Sequence, residues 1–297
     1  MQSLLLALLA MPTAVAQWER ITPPADAMTG CGRGADYAFF FRPGTENKLV
    51  IDFEGGGGCW DVLTCLLPTW STTVGNNPPS ATGLLADNAE NPTRGWSYLF
   101  VPYCTGDVHL GAREAAGVNF NGRANARAAL EHAYAAVPDP EAVLTTGCSA
   151  GALGSVGWIG HVAERYPNAR HSQFGDSFLG VTSAQHWQTL ENNWDLLTSF
   201  FPAPGMEIER LQQFSDDICP YILAKTAENF GPSGAFPTVT MGQFNFNADS
   251  VQIAFSALAG APSARWTEVM REISPTILDG GANGASVCPA VRSYLLV

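Results

Sequence analysis

Charge is scarce in this chain of 297 residues: only 14% are Asp, Glu, Lys or Arg. Acids outnumber bases 27 to 15, for a formal net charge of −12. With no clustered Lys and Arg, a nucleic-acid surface or an anionic-membrane surface is excluded, since both need concentrated positive charge. A long apolar run is also missing: nothing reaches about eighteen uninterrupted apolar residues, so no transmembrane helix is expected. No segment is repetitive enough to read as disordered. Cys-x-x-Cys and close Cys/His pairs are absent, which removes the usual frame of a zinc site, and no metal or cofactor is expected. Asn91-Pro92-Thr93 is blocked by its proline, so no usable glycosylation sequon remains. Histidine is absent beyond His186.

What is present suits a globular enzyme. Hydrophobic residues make up 46% of the chain, enough for a large core, and 30 glycines with 20 prolines predict many ordered turns. Residues 1–16 carry a leucine-rich stretch, Leu4 to Met11, ending in Ala14-Val15-Ala16. This reads as a signal peptide cleaved before Gln17, although no Lys or Arg marks its start; a short buried helix is the competing reading. All seven cysteines follow it, so an extracellular protein with disulfides is expected. Cys59 and Cys65 are close enough to staple one loop, and Cys219 with Cys288, and Cys31 with Cys104, are the other candidate pairs. Cys148 is then left over, expected buried and free.

The densest signal lies at 141–160. A short apolar run meets Gly147-Cys148-Ser149-Ala150-Gly151, and a helical pattern over 153–165 follows at once. A strand, Gly-x-Ser-x-Gly and a helix in that order form the nucleophile elbow of an α/β hydrolase. The turn forces strained backbone angles on Ser149, and Gly147, Ala150 and Gly151 leave room for it. The pentapeptide alone occurs by chance in many chains; its strand-and-helix context argues for catalysis.

Strands are predicted at 37–41, 48–53, 97–103, before the elbow, 170–175, 238–246 and 291–297, with helices at 122–136, 153–165, 206–230, 250–258 and 264–273. Strands alternating with helices predict a single-domain α/β fold, a mostly parallel sheet with helices on both faces. No linker divides 17–297. After the strand at 48–53 comes Glu54-Gly55-Gly56-Gly57-Gly58-Cys59-Trp60. A phosphate cradle would need Gly-Lys-Ser/Thr or a Rossmann turn, and neither occurs; an oxyanion loop fits better, because its backbone must approach the substrate closely. The connection 66–95 reads as a lid, a binding wall or a plain surface excursion. His109, which precedes the serine, is expected to shape the pocket or order its turn rather than act as base. His161 is too far along its helix to reach Ser149. Trp187 and Trp194 either cap the pocket or pack in the core.

Four separated motifs agree on one family. Glu54-Gly55-Gly56-x-x-Cys59 with Cys65, Pro102-Tyr103-Cys104-Thr105-Gly106-Asp107, the Ser149 pentapeptide and Ala248-Asp249-Ser250-Val251-Gln252 together resemble the pectin acetylesterases, a family that also contains the Notum carboxylesterases. The resemblance runs from about Asp52 to the C-terminus. It implies an α/β-hydrolase fold and a Ser-Asp-His triad that removes acyl groups from oxygen. By motif position it makes Ser149 the nucleophile and Asp249 the triad acid. Gly56, Gly57 and Ala150 become oxyanion donors, and a Cys59–Cys65 bond would stiffen their loop. Asp176, which also ends a strand after the elbow, is the competing acid.

The departure is the base. The family places its histidine after the last strand, where this sequence has none. The expectation is a chain incomplete at its C-terminus, with a catalytically weak relative as the competing account. The expected protein is thus a secreted, monomeric serine carboxylic ester hydrolase acting on acylated carbohydrate or another small ester, with carbohydrate O-acetyl groups leading. A non-catalytic binding protein and a serine peptidase on the same fold are the rivals.

Overall fold

Apolar β-forming runs alternate with helical patterns along the chain, and the fold follows that alternation. The structure is a computed structural model that describes residues 17–178, 180, 182–196, 239–246, 248–261 and 266, and the backbone of 291–296. Its strands are β1 (Glu19–Ile21), β2 (Phe39–Arg42), β3 (Lys48–Phe53), β4 (Ser97–Val101), the hairpin β5 (Arg113–Ala115) and β6 (Val118–Phe120), β7 (Ala142–Cys148), β8 (Arg170–Asp176), β9 (Val239–Phe246) and β10 (Val291–Leu296). The described helices are α1 (Val62–Leu66), α2 (Gly122–Ala136), α3 (Ala150–Arg165), α4 (Ala184–Trp194) and α5 (Ser250–Leu258). None of them is long and apolar enough to cross a membrane.

Eight strands form one sheet in the order β1-β2-β4-β3-β7-β8-β9-β10. The pairs β1–β2 and β2–β4 are antiparallel, and every pair from β4–β3 to β9–β10 is parallel. The expected mostly parallel α/β sheet is therefore what forms. Parallel strands bring the loops after β3, β7, β8 and β9 to one edge. Strand order reverses between β3 and β7, where Phe53 lies opposite Gly147, and ligands of open α/β sheets bind at such a switch point.

The pleat sorts β3 between two cores. Leu49, Ile51 and Phe53 join the main core, into which α2 sends Ala126, Ala129 and Leu130, and α3 sends Val156, Ile159 and Val162. Val50 faces the other way, with Phe40, Tyr98 and Phe100, under Leu84, Leu85 and Trp96. Much of the 66–95 connection is thus a cover for the second face of the sheet. Its first residues run back to the glycine loop, where Trp70 bridges Gly57.

Elements that depend on local pattern fall where expected; short ones do not. The first core strand starts at Phe39 rather than 37, and the strand at 97 ends at Val101. Helix α3 starts at Ala150 itself, three residues before the first helical position expected. Helix α1 was not foreseen, because its signal is a single capping box: Asp61 accepts from Thr64 N while Thr64 Oγ1 accepts from Asp61 N. The β5–β6 hairpin and α4 also escaped prediction. Disulfides join Cys31 to Cys104 and Cys59 to Cys65. Cys148 is free, but exposed rather than buried: it is the last residue of β7, at the edge of the sheet where the strand turns into α3. The expected leader at 1–16, the helices at 206–230 and 264–273 (Trp266 apart) and the Cys219–Cys288 pair lie outside the described residues.

Candidate active site

The turn from β7 into α3 is so sharp that Ser149 sits at φ 55°, ψ −120°. Such angles persist in a non-glycine residue only where its surroundings over-determine them. Here they do. The Ser149 amide donates to Asp176 O at 2.7 Å, tying the turn to β8, and its carbonyl accepts from Ala152 N at 2.9 Å. Below it, α3 presses on the end of β3: a Cβ on Gly151 would stand 1.8 Å from Phe53 O, and one on Gly147 2.3 Å from Gly151 O. Gly55 approaches from the other side, where a Cβ would meet Cys148 O at 2.5 Å. The glycine-rich loop and the elbow are therefore in backbone contact.

Behind the glycine loop is a buried polar brace. His109 is enclosed, with its ring against Phe53 and Tyr103. Its Nε2 bonds Glu54 O at 2.8 Å, and because a carbonyl can only accept, Nε2 carries the proton. Asp107 lies beneath, accepting from Thr105 Oγ1, Gly122 N and His109 N. Glu54 Oε2 accepts from Tyr103 N at 2.9 Å. Burial holds the His109 imidazole down to about 4 and lifts the Asp107 carboxyl to about 6; burial also raises Glu54. His109 thus orders the turn and the loop, the role its place in the sequence predicts.

The brace has a pH signature. An imidazole at about 4 in the fold and near 6.5 when unfolded contributes stability that is whole above pH 6.5 and is lost as pH falls toward 4. That span corresponds to about 3 kcal/mol. Asp107 acts in the opposite sense: its stabilising contribution is whole below about 3.8 and is lost as pH rises through about 6. In His109→Gln, whose amide can still donate to Glu54 O, the histidine part of the pH dependence is expected to vanish. Urea unfolding at pH 7.5 and 4.5 should show the variant losing about 2 kcal/mol less than the parent on acidification. An equal loss in both would refute a buried neutral His109.

In front of the glycine loop lies a cavity of about 770 Å³, part of it open to solvent, lined by Ser149, Gly57, Gly58, Ala150 and a largely apolar wall. Trp60, Leu153 and Phe178 contribute to that wall from three different segments, α4 contributes Trp187, Leu190 and Trp194, and α5 contributes Val251 and Phe255. Trp187 and Trp194 both face the cavity, and Trp194 is also core, donating Nε1 to Cys59 O at 3.1 Å. Ala150 N starts α3, where a helix leaves amides unpaired. Gly57 has φ +79° and would set a Cβ 1.7 Å from Thr69 O.

Both candidate acids stand at this edge. Asp176 ends β8, opposite Cys148, and its Oδ1 accepts from Ser177 Oγ at 2.6 Å. Asp249 follows β9 and caps α5, Oδ1 accepting from Val251 N and Gln252 N at 3.0 Å each. Both raise the Cys148 thiol: although the residue is exposed, its thiol loses part of its hydration, and this, then Asp176, Asp52 and Asp249, push it up to about 11. Of the five histidines, His186 alone lines the cavity with Ser149; His109 and His171 are tied to backbone carbonyls, and His132 and His161 pack on aromatic rings. Among the described residues no histidine hydrogen-bonds the Ser149 hydroxyl.

The family model described as Pectinacetylesterase matches residues 16–265. Pectin acetylesterase 11 of Arabidopsis thaliana is 29% identical over 140 residues, which cover 42% of this chain and 36% of that protein; the match spans about a third of the relative's length. Among solved structures, the Wnt deacylase Notum from Drosophila superposes with a TM-score of 0.61 over 94% of this chain and 84% of that one. At 18% identity that likeness shows the fold.

Proposed function

Since the chain belongs to the pectinacetylesterase family, we propose that it is a serine carboxylic ester hydrolase that removes O-acetyl groups from a carbohydrate such as pectin through an acyl-enzyme on Ser149. The observation that carries this reading is the strained Ser149, held in backbone contact with the glycine loop and lining one cavity with Gly57 and Ala150. In the reaction, Ser149 Oγ attacks the ester carbonyl and gives its proton to a base. The carbonyl oxygen gathers negative charge and is held by the amides of Gly56, Gly57 and Ala150. The alcohol leaves with a proton, and water releases the acid and restores the serine. Asp249, on the loop after a late strand, follows the Ser…Asp…His order of this fold and serves as the acid ahead of Asp176. Two disulfides suit an oxidising, extracellular setting.

One observation favours a second reading, a relative that binds the ester without turning it over: among the described residues no histidine bonds the Ser149 hydroxyl. A fluorophosphonate, which requires an activated serine, separates the two. One adduct per chain, mapped to Ser149 by mass spectrometry and absent from Ser149→Ala, is the expected result. An adduct elsewhere overturns the assignment of the nucleophile, and no adduct favours the binding reading.

A further inference from the structure

Helix α1 is built inside out. Its buried residues are Thr64 and Cys65, whereas Val62, Leu63 and Leu66 are 60%, 76% and 73% exposed, and Leu67, its C-cap, is 43% exposed. At the helical period Val62, Leu63 and Leu66 share one side, with Thr64 and Cys65 on the other. A helix of a soluble protein ordinarily buries its apolar side. Eight large apolar side chains are exposed among the described residues, and these are four of them. Three fixings hold α1 this way round. Asp61 and Thr64 close a capping box at its start, the Cys59–Cys65 disulfide ties its end to the glycine loop, and Cys65 O accepts from Arg33 Nη2 at 2.7 Å.

The same helix stands at the cavity. It starts two residues after Trp60, which lines the cavity, and the charge of its N-cap Asp61 reaches the imidazole of His186, another lining residue. Trp60 tilts against Phe255 with centroids 6.4 Å apart. Phe255 lies one turn of α5 from Val251, which both lines the cavity and is 57% exposed. The outward leucines, Trp60 and the open rim at Val251 thus follow one another along one side of the cavity.

Charge and size narrow what can cover this face. Residues 62–86 contain no Asp, Glu, Lys or Arg, and the charged side chains bonded to α1 are one of each sign, Asp61 and Arg33. A charged partner has little to read there, and a net charge of −12 repels an anionic surface. Four side chains expose a few hundred Å² at most, well below the roughly 800 Å² per partner of a stable protein interface. An uncharged lipid surface needs neither charge nor a wide footprint, because apolar side chains enter the boundary between headgroups and acyl chains one by one. We infer that α1 docks the protein on an uncharged lipid surface, which Val62, Leu63, Leu66 and Leu67 enter, so that the cavity meets esters held there. The docking stands on α1; what it delivers rests on the reading of the cavity as the acyl site of Ser149.

Flotation of the full chain with phosphatidylcholine vesicles tests this without calling on catalysis. The chain is expected to float with them equally at about 0.1 M and about 1 M salt, since apolar docking is not screened. Adding phosphatidylserine to the vesicles should weaken binding at the lower salt, where the net charge meets a negative surface. Leu63→Gln combined with Leu66→Gln, both exposed and outside the cavity lining, should bind phosphatidylcholine at least about ten-fold more weakly. The double variant should keep the parent's unfolding midpoint and its rate on a short-chain ester in free solution. Ser149→Ala should float as the parent does. No binding of the parent to phosphatidylcholine, binding to the anionic vesicles alone, or equal binding by the double variant would overturn the inference. So would a parent dimer in sedimentation equilibrium that the double variant abolishes, since a second copy would then be the occupant. Fluorophosphonate labelling that fails while the vesicles bind would remove the esterase reading alone, and labelling without vesicle binding would remove this inference alone.

Discussion

Ser149→Ala is expected to lower the hydrolysis of a short-chain chromogenic ester by at least about a thousand-fold, because a serine hydrolase that loses its nucleophile keeps only the help of binding and oxyanion contacts. The loss should fall on kcat, with KM little changed, since the hydroxyl acts in the transition state and not in holding the substrate. The fold should survive. The φ of 55° at this position is borne by serine already, so alanine inherits the same strain rather than adding to it. Thermal unfolding measured beside the kinetics checks that point. Equal rates for parent and variant would sink the nucleophile assignment and leave the binding reading in its place. A stable variant with no turnover would be the strongest single result for the site as described.

Gly151→Ala is expected to do the opposite, destroying the fold and activity together. Helix propensity alone argues for alanine, which is better than glycine inside a helix by about 1 kcal/mol. Sterics oppose it more strongly. The new Cβ would lie 1.8 Å from Phe53 O, 2.6 Å from Phe53 C and 2.9 Å from Glu54 C, all of them backbone. No side chain can turn aside to relieve this, so α3 must lift from β3 and break the main core beneath the elbow. Overpacking of this kind costs about 3 kcal/mol, at the upper end of its range, and outweighs the propensity term. The midpoint of urea unfolding should drop accordingly, or the chain should fail to accumulate. Gly75→Ala is the control: nothing lies within 4 Å of its Cβ, and its stability should stay within about 0.5 kcal/mol of the parent. A Gly151→Ala protein as stable as that control would mean that α3 does not press on β3 as the structure has it.

These two substitutions mark where reading the sequence works. The pentapeptide around Ser149, the glycines after β3 and the strands that carry them were legible because each depends on neighbours within a few positions. A tight turn needs small residues, and a buried strand needs a run of apolar ones. Helices α2 and α5 were legible for the same reason, through their apolar patterns. His109 was legible as an ordering residue from its place before the serine, though not the carbonyl it would hold.

The α4 wall was not legible. That Trp187 and Trp194 face the cavity depends on α4 crossing to the end of the glycine-rich loop, where Asn193 Nδ2 donates to Trp60 O and Trp194 Nε1 to Cys59 O. Those partners stand 133 and 135 positions apart, and no local pattern records such a meeting. Exposure of Cys148 was misjudged in the same way, since its surroundings come from the sheet and not from the pentapeptide. By itself the sequence singled out Ser149 and the backbone that presents it, through local sterics. Only the tertiary structure decided what surrounds that serine, because a cavity is made by segments far apart in the chain, and no local pattern records how they pack.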